Sequence, residues 1–452
     1  MPIKNNIPTV IVSNFAEAHV DFLGRCADPK EREELILSEA YHADRTLLWA
    51  GDPKLVVVSY PIAHASLIRD LGFTQTDYTY PHAPTFYLCK DILREEDLIQ
   101  KIVNFAGQDQ KLNLIPYATT PEFYELVSFL RVSKGLRVET PESPEVKNFW
   151  LRDYIDTKNG FRSLASMWLN DAEDFLTLGV SCYNMDHAIR VIEWFSQNGE
   201  SCVVKADTGE SGIGTVVIHP YGDQEKKEVF NRLKNDPYFA DELIVVERFV
   251  PSKNQISPSL EVKVPSLGEG KPEVTYVSKQ LFLEFGDFCG IQVDKSIYQS
   301  SWYPKLESSG LLLAERLQEM GYVGHFDIDC VVSDDDHLYL LEINARRTGG
   351  THVHEFAKHI YGDDYIEKIS CVSYEAMDSG SITNPKELQD ALADYLLPIN
   401  GDERYGLVIT ITRALHNHRF GCIAVAPTAD LALKLQTEAL LHLQNFNAQI
   451  DT

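Results

Sequence analysis

Residues 324–352 read GHFDIDCVVSDDDHLYLLEINARRTGGTH, and the alternation inside this stretch decides the fold. Two runs rich in strand-forming residues, 325–332 and 338–344, flank the turn cluster Ser333-Asp334-Asp335-Asp336. A hairpin folded between Asp335 and Asp336 sets Val332 opposite Tyr339, Asp329 opposite Glu342 and Asp327 opposite Asn344. Successive side chains on a strand point to opposite faces, so Asp327, Asp329, Glu342 and Asn344 share one face. Carboxylates facing each other across a ladder repel, and such a face needs a cation. Oxygen ligands on a rigid ribbon suit magnesium, which is held by a carboxylate or two together with substrate phosphates. A solvated strand face with an acidic turn is the plainer account. It suits Asp334, Asp335 and Asp336, but the strand carboxylates run on into an asparagine and two arginines, Arg346 and Arg347.

The chain holds 452 residues, a length that suggests about two or three domains with buried cores. Its formal net charge of −26 argues against nucleic acid and anionic membrane surfaces as partners. Eight cysteines, at 26, 89, 182, 202, 289, 330, 371 and 422, show neither a CxxC pair nor zinc-ligand spacing. Cys202, Cys330 and Cys422 fall in apolar strand-like runs, as reduced core residues of a cytosolic protein do. The opening MPIKNNIPTVIVSN lacks the hydrophobic region of a signal peptide, and no apolar stretch reaches membrane-spanning length. A cytoplasmic protein is expected.

Upstream of the hairpin, strand candidates at 9–13, 55–60, 113–117 and 136–139 alternate with helical patterns at 63–71, 95–105 and 121–130. Such alternation implies an open parallel α/β sheet. No GxGxxG follows the first strand, which speaks against a dinucleotide site there. A helical insertion at 28–48 interrupts the pattern. Thr140-Pro141-Glu142-Ser143-Pro144 marks a boundary, and the helix expected after it carries Lys147. A lone lysine near a helix start is by default solvated; position alone makes Lys147 a candidate phosphate ligand.

The run 201–205 is a buried-strand pattern ending in Lys205, followed by Ala-Asp-Thr-Gly209-Glu210-Ser211-Gly212-Ile-Gly214 and a second strand at 216–219. Closely spaced glycines let backbone amides turn inward around phosphate oxygens. The loop joins strand to strand, whereas a P-loop joins strand to helix and ends in GK[ST], so a P-loop NTPase is excluded. Taken alone the loop also reads as an ordinary hairpin turn; Lys205 beside it supplies charge for a triphosphate. Next, 242–251 is an apolar strand ending at a proline, and its end could offer backbone groups to a purine. Further strands are expected at 260–264, 273–278 and 280–285, with a helix at 311–321 leading into the hairpin. Beyond it, 354–360 reads as helix and 378–385 as a linker. Strands at 406–412 and 421–426 precede a helix from 429 to 443, capped by Thr428.

The strand–Lys–Gly-loop–strand unit, the VVERFV strand and the D-x12-E-x-N hairpin together resemble the ATP-grasp superfamily of carboxylate–amine ligases. The α/β layer before them is similar to a pre-ATP-grasp domain. The run ARRTGGTH, with Ser257-Pro258-Ser259, is similar to peptide ligases of the pheganomycin type. The resemblance implies an α/β and α+β architecture: an open α/β layer over 1–143, a two-lobed ATP-grasp fold with antiparallel sheets over 144–372, and a small α+β segment packing on it over 373–452. It implies magnesium, with manganese as an alternative, on Asp329, Glu342 and Asn344, between the phosphates of ATP. It gives ATP to Lys147, Lys205, Gly209, Glu210, Ser211, Gly212 and Gly214, with the adenine hinge at Glu247, Arg248, Phe249 and Val250. It gives the acyl phosphate to Arg346, and the oxyanion of the tetrahedral intermediate to Arg346 with Arg347. Where many members bind ribose with a glutamate, this chain has Asn254 and Gln255.

The activity implied is an ADP-forming ligase joining a small-molecule carboxylate to an amine, amino acid or peptide, with a homodimer compatible with it. His325, His352 and His354 are read as structural residues or as a base for the amine. A kinase or phosphotransferase, and a nucleotide-binding regulator without turnover, are the alternatives at the same site.

Overall fold

The computed structural model of the chain describes residues 7–49, 51, 53–210, 212–240, 243–283, 288–401 and 404–450. Short apolar runs build the first layer: β1 (Thr9–Val12) and β2 (Lys54–Val57) are buried at every residue, as strands covered on both faces must be. With β3 (Thr76–Thr79), β4 (Lys111–Pro116) and β5 (Arg137–Glu139) they form a parallel sheet in the order β3-β2-β1-β4-β5. The edge strand β3, sequence TDYT, was not among the expected strands, because it carries no apolar run. Strand order turns at β1, where Asn14 bridges the ends of β1 and β4. It accepts from Tyr117 N at 3.0 Å and donates to Ala118 O at 2.9 Å.

The insertion at 28–48 folds as a helix, Pro29–Tyr41, and a 3-10 turn, His42–Leu48. Asp28 caps the helix by accepting from Lys30 N and Glu31 N, each at 2.9 Å. Leu47, Leu48 and Trp49 are buried in one cluster with Val353, Phe356 and Cys371. The insertion thus joins the first layer to a distant sheet.

A second sheet contains β6 (Gly179–Cys182), β7 (Cys202–Glu210), β8 (Ile213–Ile218) and β9 (Ile244–Arg248), antiparallel in the order β6-β9-β7-β8. The third begins with β10 (Pro258–Val264), β11 (Glu273–Phe282) and β12 (Phe288–Val293). It continues with β13 (Gly324–Val332), β14 (Leu338–Asn344), β15 (Ser370–Asp378), β16 (Gly406–Ile411) and β17 (Arg419–Ala426). Their order is β14-β13-β10-β11-β12-β15-β17-β16. The strands read separately at 273–278 and 280–285 begin one strand, β11, and 285 lies outside the described residues. The expected boundary at 372/373 falls inside β15, and the strands of the C-terminal segment extend this same sheet.

On β13, Phe326, Ile328 and Cys330 are buried in a core shared with Leu306, Leu313 and Leu317 of the Tyr303–Met320 helix. That leaves Asp327 and Asp329 on the opposite face. Asp327 pairs with Asn344 and Asp329 with Glu342, as the alternation requires. Nearer the turn the register differs from expectation: Val332 faces Leu338, not Tyr339. The turn reaches to His337, whose carbonyl accepts from Ser333 N at 2.9 Å, and Asp336 takes a φ of 64°. A bulge between Asp329 and Cys330 absorbs the shift and aims Leu341 into the cavity described below.

Arg347 lies behind the hairpin, not at the cavity where the sequence placed it. Its guanidinium meets Glu142 twice, Nε to Oε2 at 2.7 Å and Nη2 to Oε1 at 2.8 Å, and stacks 4.5 Å from the Trp49 ring centroid. His325 joins the cluster, with Nδ1 2.9 Å from Glu261 Oε1 and Nε2 3.6 Å from Glu142 Oε1. Burial opposes charge on Glu142, yet Arg347, then His325 and Lys263, hold it well below the usual range. Burial likewise opposes charge on Glu261, and hydrogen bonding from His325 is the largest effect that brings it down to about 2. For His325, burial and Arg347 oppose the proton, but Glu142 and Glu261 raise it above its ordinary value.

Removing one partner of a buried pair strands the other charge, so Arg347→Met is expected to cost about 3 kcal/mol or more of stability. Urea or thermal denaturation checks this; a loss under about 1 kcal/mol would mean the clamp holds nothing together. The carboxylates contribute stability that is present above about pH 4.5 and lost as pH falls toward 2. His325 contributes fully below 6.5, and that part is lost as pH rises through its raised folded value. The stabilisation from this cluster, read as the wild-type melting temperature minus that of Glu261→Gln, should therefore be greatest between about pH 4.5 and 6.5. Glu261→Gln should flatten the acid limb, and an unchanged limb counts against the cluster.

Candidate active site

Between the β7–β8 hairpin and the polar face of the third sheet lies a cavity of about 260 Å3. Asp327, Asp329, Leu341, Glu342, Asn344 and Arg346 line it from the hairpin side. Asn344 donates to Asp329 Oδ2 at 3.0 Å, Gln280 to Asp329 Oδ1 at 2.9 Å, and Ser259 to Asp327 Oδ2 at 3.1 Å. Asp327 Oδ1 is buried and has no hydrogen-bond partner among the described residues. Burial, then Glu342, pushes Asp329 up to about 6; burial, then Asp329, pushes Asp327 well above the usual range. Glu342 is different: although burial opposes its charge, Lys158 and Lys205 hold it below the usual range. Carboxylates crowded out of water, with an asparagine oxygen beside them, form a donor set that fits magnesium.

Lys147 is not in this group. It is exposed on the 3-10 turn Val146–Asn148, with Nζ 2.8 Å from Glu145 Oε2. Lys158 takes the buried position instead, its Nζ 3.0 Å from Glu342 Oε2. It opens the helix Lys158–Trp168, whose N-cap Thr157 accepts from Gly160 N at 2.9 Å. A sequence signal that could have found Lys158 is this cap, a threonine just before the lysine. Lys205 projects from β7 onto Glu247, whose carboxylate also takes Arg162 at 2.7 Å and Thr177 at 3.2 Å. Glu247 therefore holds Lys205 in place through its side chain.

The glycine loop closes the cavity from above. Gly212 and Gly214 have φ of 86° and 80°, where a side chain is strained. A Cβ on Gly209 would stand 3.0 Å from Ile213 O and 3.2 Å from Lys158 Nζ. Ser211 lies outside the described residues. Glu210 accepts from Arg346 Nη2 at 2.5 Å and lies 3.3 Å from His19 Nδ1. Arg346 sits 5.6 Å from the Tyr117 ring centroid, and its buried Nε has no partner among the described residues.

Glu247, Arg248, Phe249 and Val250 lie at the end of β9 and do not line the cavity. Arg248 is exposed and pairs with Glu200 at 3.2 Å, while Phe249 N donates to Ser201 O at 3.0 Å. His325, His352 and His354 are buried outside the cavity lining. The cavity's other wall, which sequence reasoning missed, comes from Tyr276, Phe282, Phe288 and Ile291 on β11 and β12. The alternation of β11 could have flagged the first two; β12 begins next to residues outside the described set.

No protein-family model matches this chain, and no curated protein matches its sequence. Solved structures do. The ADP complex of an N5-carboxyaminoimidazole ribonucleotide synthetase is 14% identical, covers 99% of each chain and has a TM-score of 0.55. Biotin carboxylase from Campylobacter jejuni, with β,γ-ATP, is 11% identical over 97% of this chain and 95% of its own, with a TM-score of 0.58. The biotin carboxylase domain of 2-oxoglutarate carboxylase from Hydrogenobacter thermophilus, with MgADP and bicarbonate, is 13% identical over 95% and 89%, with a TM-score of 0.55. At such identities the likeness is one of fold, and this chain has the ATP-grasp fold with an α/β layer in front of it.

Proposed function

We propose that this chain is an ATP-dependent, ADP-forming ligase that joins a carboxylate to an amine through an acyl phosphate. One observation carries the reading: Lys158, Lys205, the Asp329–Glu342–Asn344 set and Arg346 all line a single cavity under a glycine loop. The structures of similar fold that hold ADP, ATP or MgADP support the same nucleotide here. Lys158 and Lys205 meet the triphosphate, with Lys158 in the role the sequence gave to Lys147. The loop at Gly209, Gly212 and Gly214 brings backbone amides to its oxygens. The end of β9, Glu247 to Val250, is the hinge the resemblance gives to the purine, although it stands outside this cavity lining and Arg248 N and Phe249 N already donate to Leu178 O and Ser201 O.

Asp329, Glu342 and Asn344 hold magnesium, or manganese, which when bound offsets charge on the phosphates. A substrate carboxylate oxygen attacks the γ-phosphorus, the bond to ADP breaks, and an acyl phosphate forms. The amine nitrogen attacks the acyl carbon, loses a proton, and phosphate leaves. Arg346, with its unpartnered Nε, stabilises the oxyanion between these events. Closure of the glycine loop keeps water from the acyl phosphate. Amino acids or peptides are the proposed substrates, because the run ARRTGGTH resembles that of pheganomycin-type peptide ligases.

Lys158→Met should weaken MgATP binding about tenfold or more, the scale of a charge-assisted hydrogen bond lost. Lys147→Met should leave it within about twofold, as for an exposed pair. Calorimetric titration separates the two lysines; equal effects would undo the assignment of Lys158.

With the right carboxylate, ATP, magnesium and hydroxylamine, the protein should yield a hydroxamate together with ADP. Arg346→Ala should suppress it by roughly a hundredfold or more, as for a lost oxyanion donor. Asp329→Asn should abolish both products. A kinase acting on an alcohol would release ADP without hydroxamate, and AMP in place of ADP would mean adenylation.

A further inference from the structure

The cavity lining extends beyond the metal set. Asp327 marks the start of this extension. Two residues before Asp329 on β13, it sits on the same face but one pleat repeat further along, about 7 Å away. Across the sheet its row is Asn344, Glu261 and Tyr276, whereas the row of Asp329 is Glu342, Ser259 and Ser278. Asp327 is 5% exposed, and it lines the cavity with one oxygen held by Ser259 and the other, Oδ1, unpartnered among the described residues. Of the cations that line the cavity, Lys158 is held by Glu342 and Lys205 by Glu247, while Arg346, held by Glu210, attracts Asp327 without a hydrogen bond to it. A buried carboxylate oxygen left in this state asks for a positively charged or N–H partner from outside the chain.

One wall of the cavity is apolar. Tyr276, Ile291, Phe288 and Phe282 form a continuous wall, with the last two rings edge to face at 6.3 Å. The chain after Arg346 comes down on this wall at Gly349 and Gly350. A Cβ on Gly349 would stand 3.3 Å from the Phe288 ring, and one on Gly350 would run into Tyr276 Oη and Ile291 Cδ1. A hydrated metal ion gains nothing from aromatic carbon. An amine bearing an apolar group gains from both features, its nitrogen on Asp327 and its carbon against the wall.

We propose that Asp327 and the wall of Tyr276, Phe282, Phe288 and Ile291 form the subsite for the amine co-substrate, and that this amine carries an apolar or aromatic group. The proposal rests on the ligase reading given above. Asp327 binds and orients the amine nitrogen beside Arg346, where an acyl carbon is to be attacked.

The test uses the full chain and the probes 2-phenylethylamine, ethylamine and 2-phenylethanol, titrated by calorimetry or NMR with and without saturating MgADP. Phenylethylamine should bind, and 2-phenylethanol at least about tenfold more weakly, since it lacks the charge. Asp327→Asn should weaken phenylethylamine by about tenfold or more, and by far more than it weakens MgADP. Phe288→Ala should weaken phenylethylamine and leave ethylamine unchanged. If Asp327→Asn weakens MgADP as much as Asp329→Asn does, Asp327 is a metal ligand and the proposal fails. It fails too if 2-phenylethanol binds as well as the amine, or if phenylethylamine does not bind. Absence of MgADP binding in the wild type would instead overturn the nucleotide reading, and the probe comparison without nucleotide would still decide the subsite.

Discussion

Carboxylates buried on one face of a two-stranded ribbon are the constraint on which the rest of this structure turns. Asp327, Asp329 and Glu342 are brought together by the β13–β14 register, and the other faces of those strands are core. Turning them away would expose Phe326, Ile328 and Cys330, so the carboxylates cannot escape by a change of register. Their repulsion must be met from outside the hairpin. Lys158 and Lys205 meet part of it by lowering Glu342, and the rest remains as raised values on Asp329 and Asp327. A site that stays short of positive charge after its own lysines are counted is poised for a cation.

The hairpin was legible because alternation on a strand is a strong signal and its consequences follow from geometry alone. Half of its register was not. The sequence does not say whether the turn holds four residues or five, and the answer moved Val332 onto Leu338 while the bulge restored the pairs that matter. The β7–β8 hairpin with Lys205 was equally readable, as was the parallel layer apart from β3. What could not be read was which lysine turns inward. Lys147 and Lys158 both follow the same boundary, and burial of Lys158 depends on Glu342, far away in sequence. The same holds for Arg347, whose neighbour Arg346 lines the cavity while it turns away to Glu142. Adjacent residues leaving a strand end diverge, and only their distant partners reveal where each goes.

Identity of 14% or less to structures that cover nearly the whole chain has a physical counterpart in this arrangement. Core faces such as that of β13 require apolar residues of suitable total volume, and many combinations satisfy them. The clamp of Glu142, Arg347 and His325 is different, since each member leaves a stranded buried charge if another is lost. Such clusters fix how layers meet, which apolar packing alone leaves loosely specified.

The first layer contributes no residue to the cavity lining among those described, yet the cavity depends on it. Arg346 reaches the cavity with its guanidinium over Tyr117 at the end of β4, and Glu210 holds it from the glycine loop while approaching His19 of the helix after β1. Asp156 fixes the preceding residue by accepting from Ala345 N at 2.6 Å. The direction of Arg346 is thus set by the parallel layer, the glycine-loop sheet and the hairpin together. A group that stabilises charge at a reacting centre must be held to within about half an ångström, and a side chain gripped from three elements meets that demand better than one supported by its own strand. Loosening the first layer would therefore misdirect Arg346 without touching the metal set.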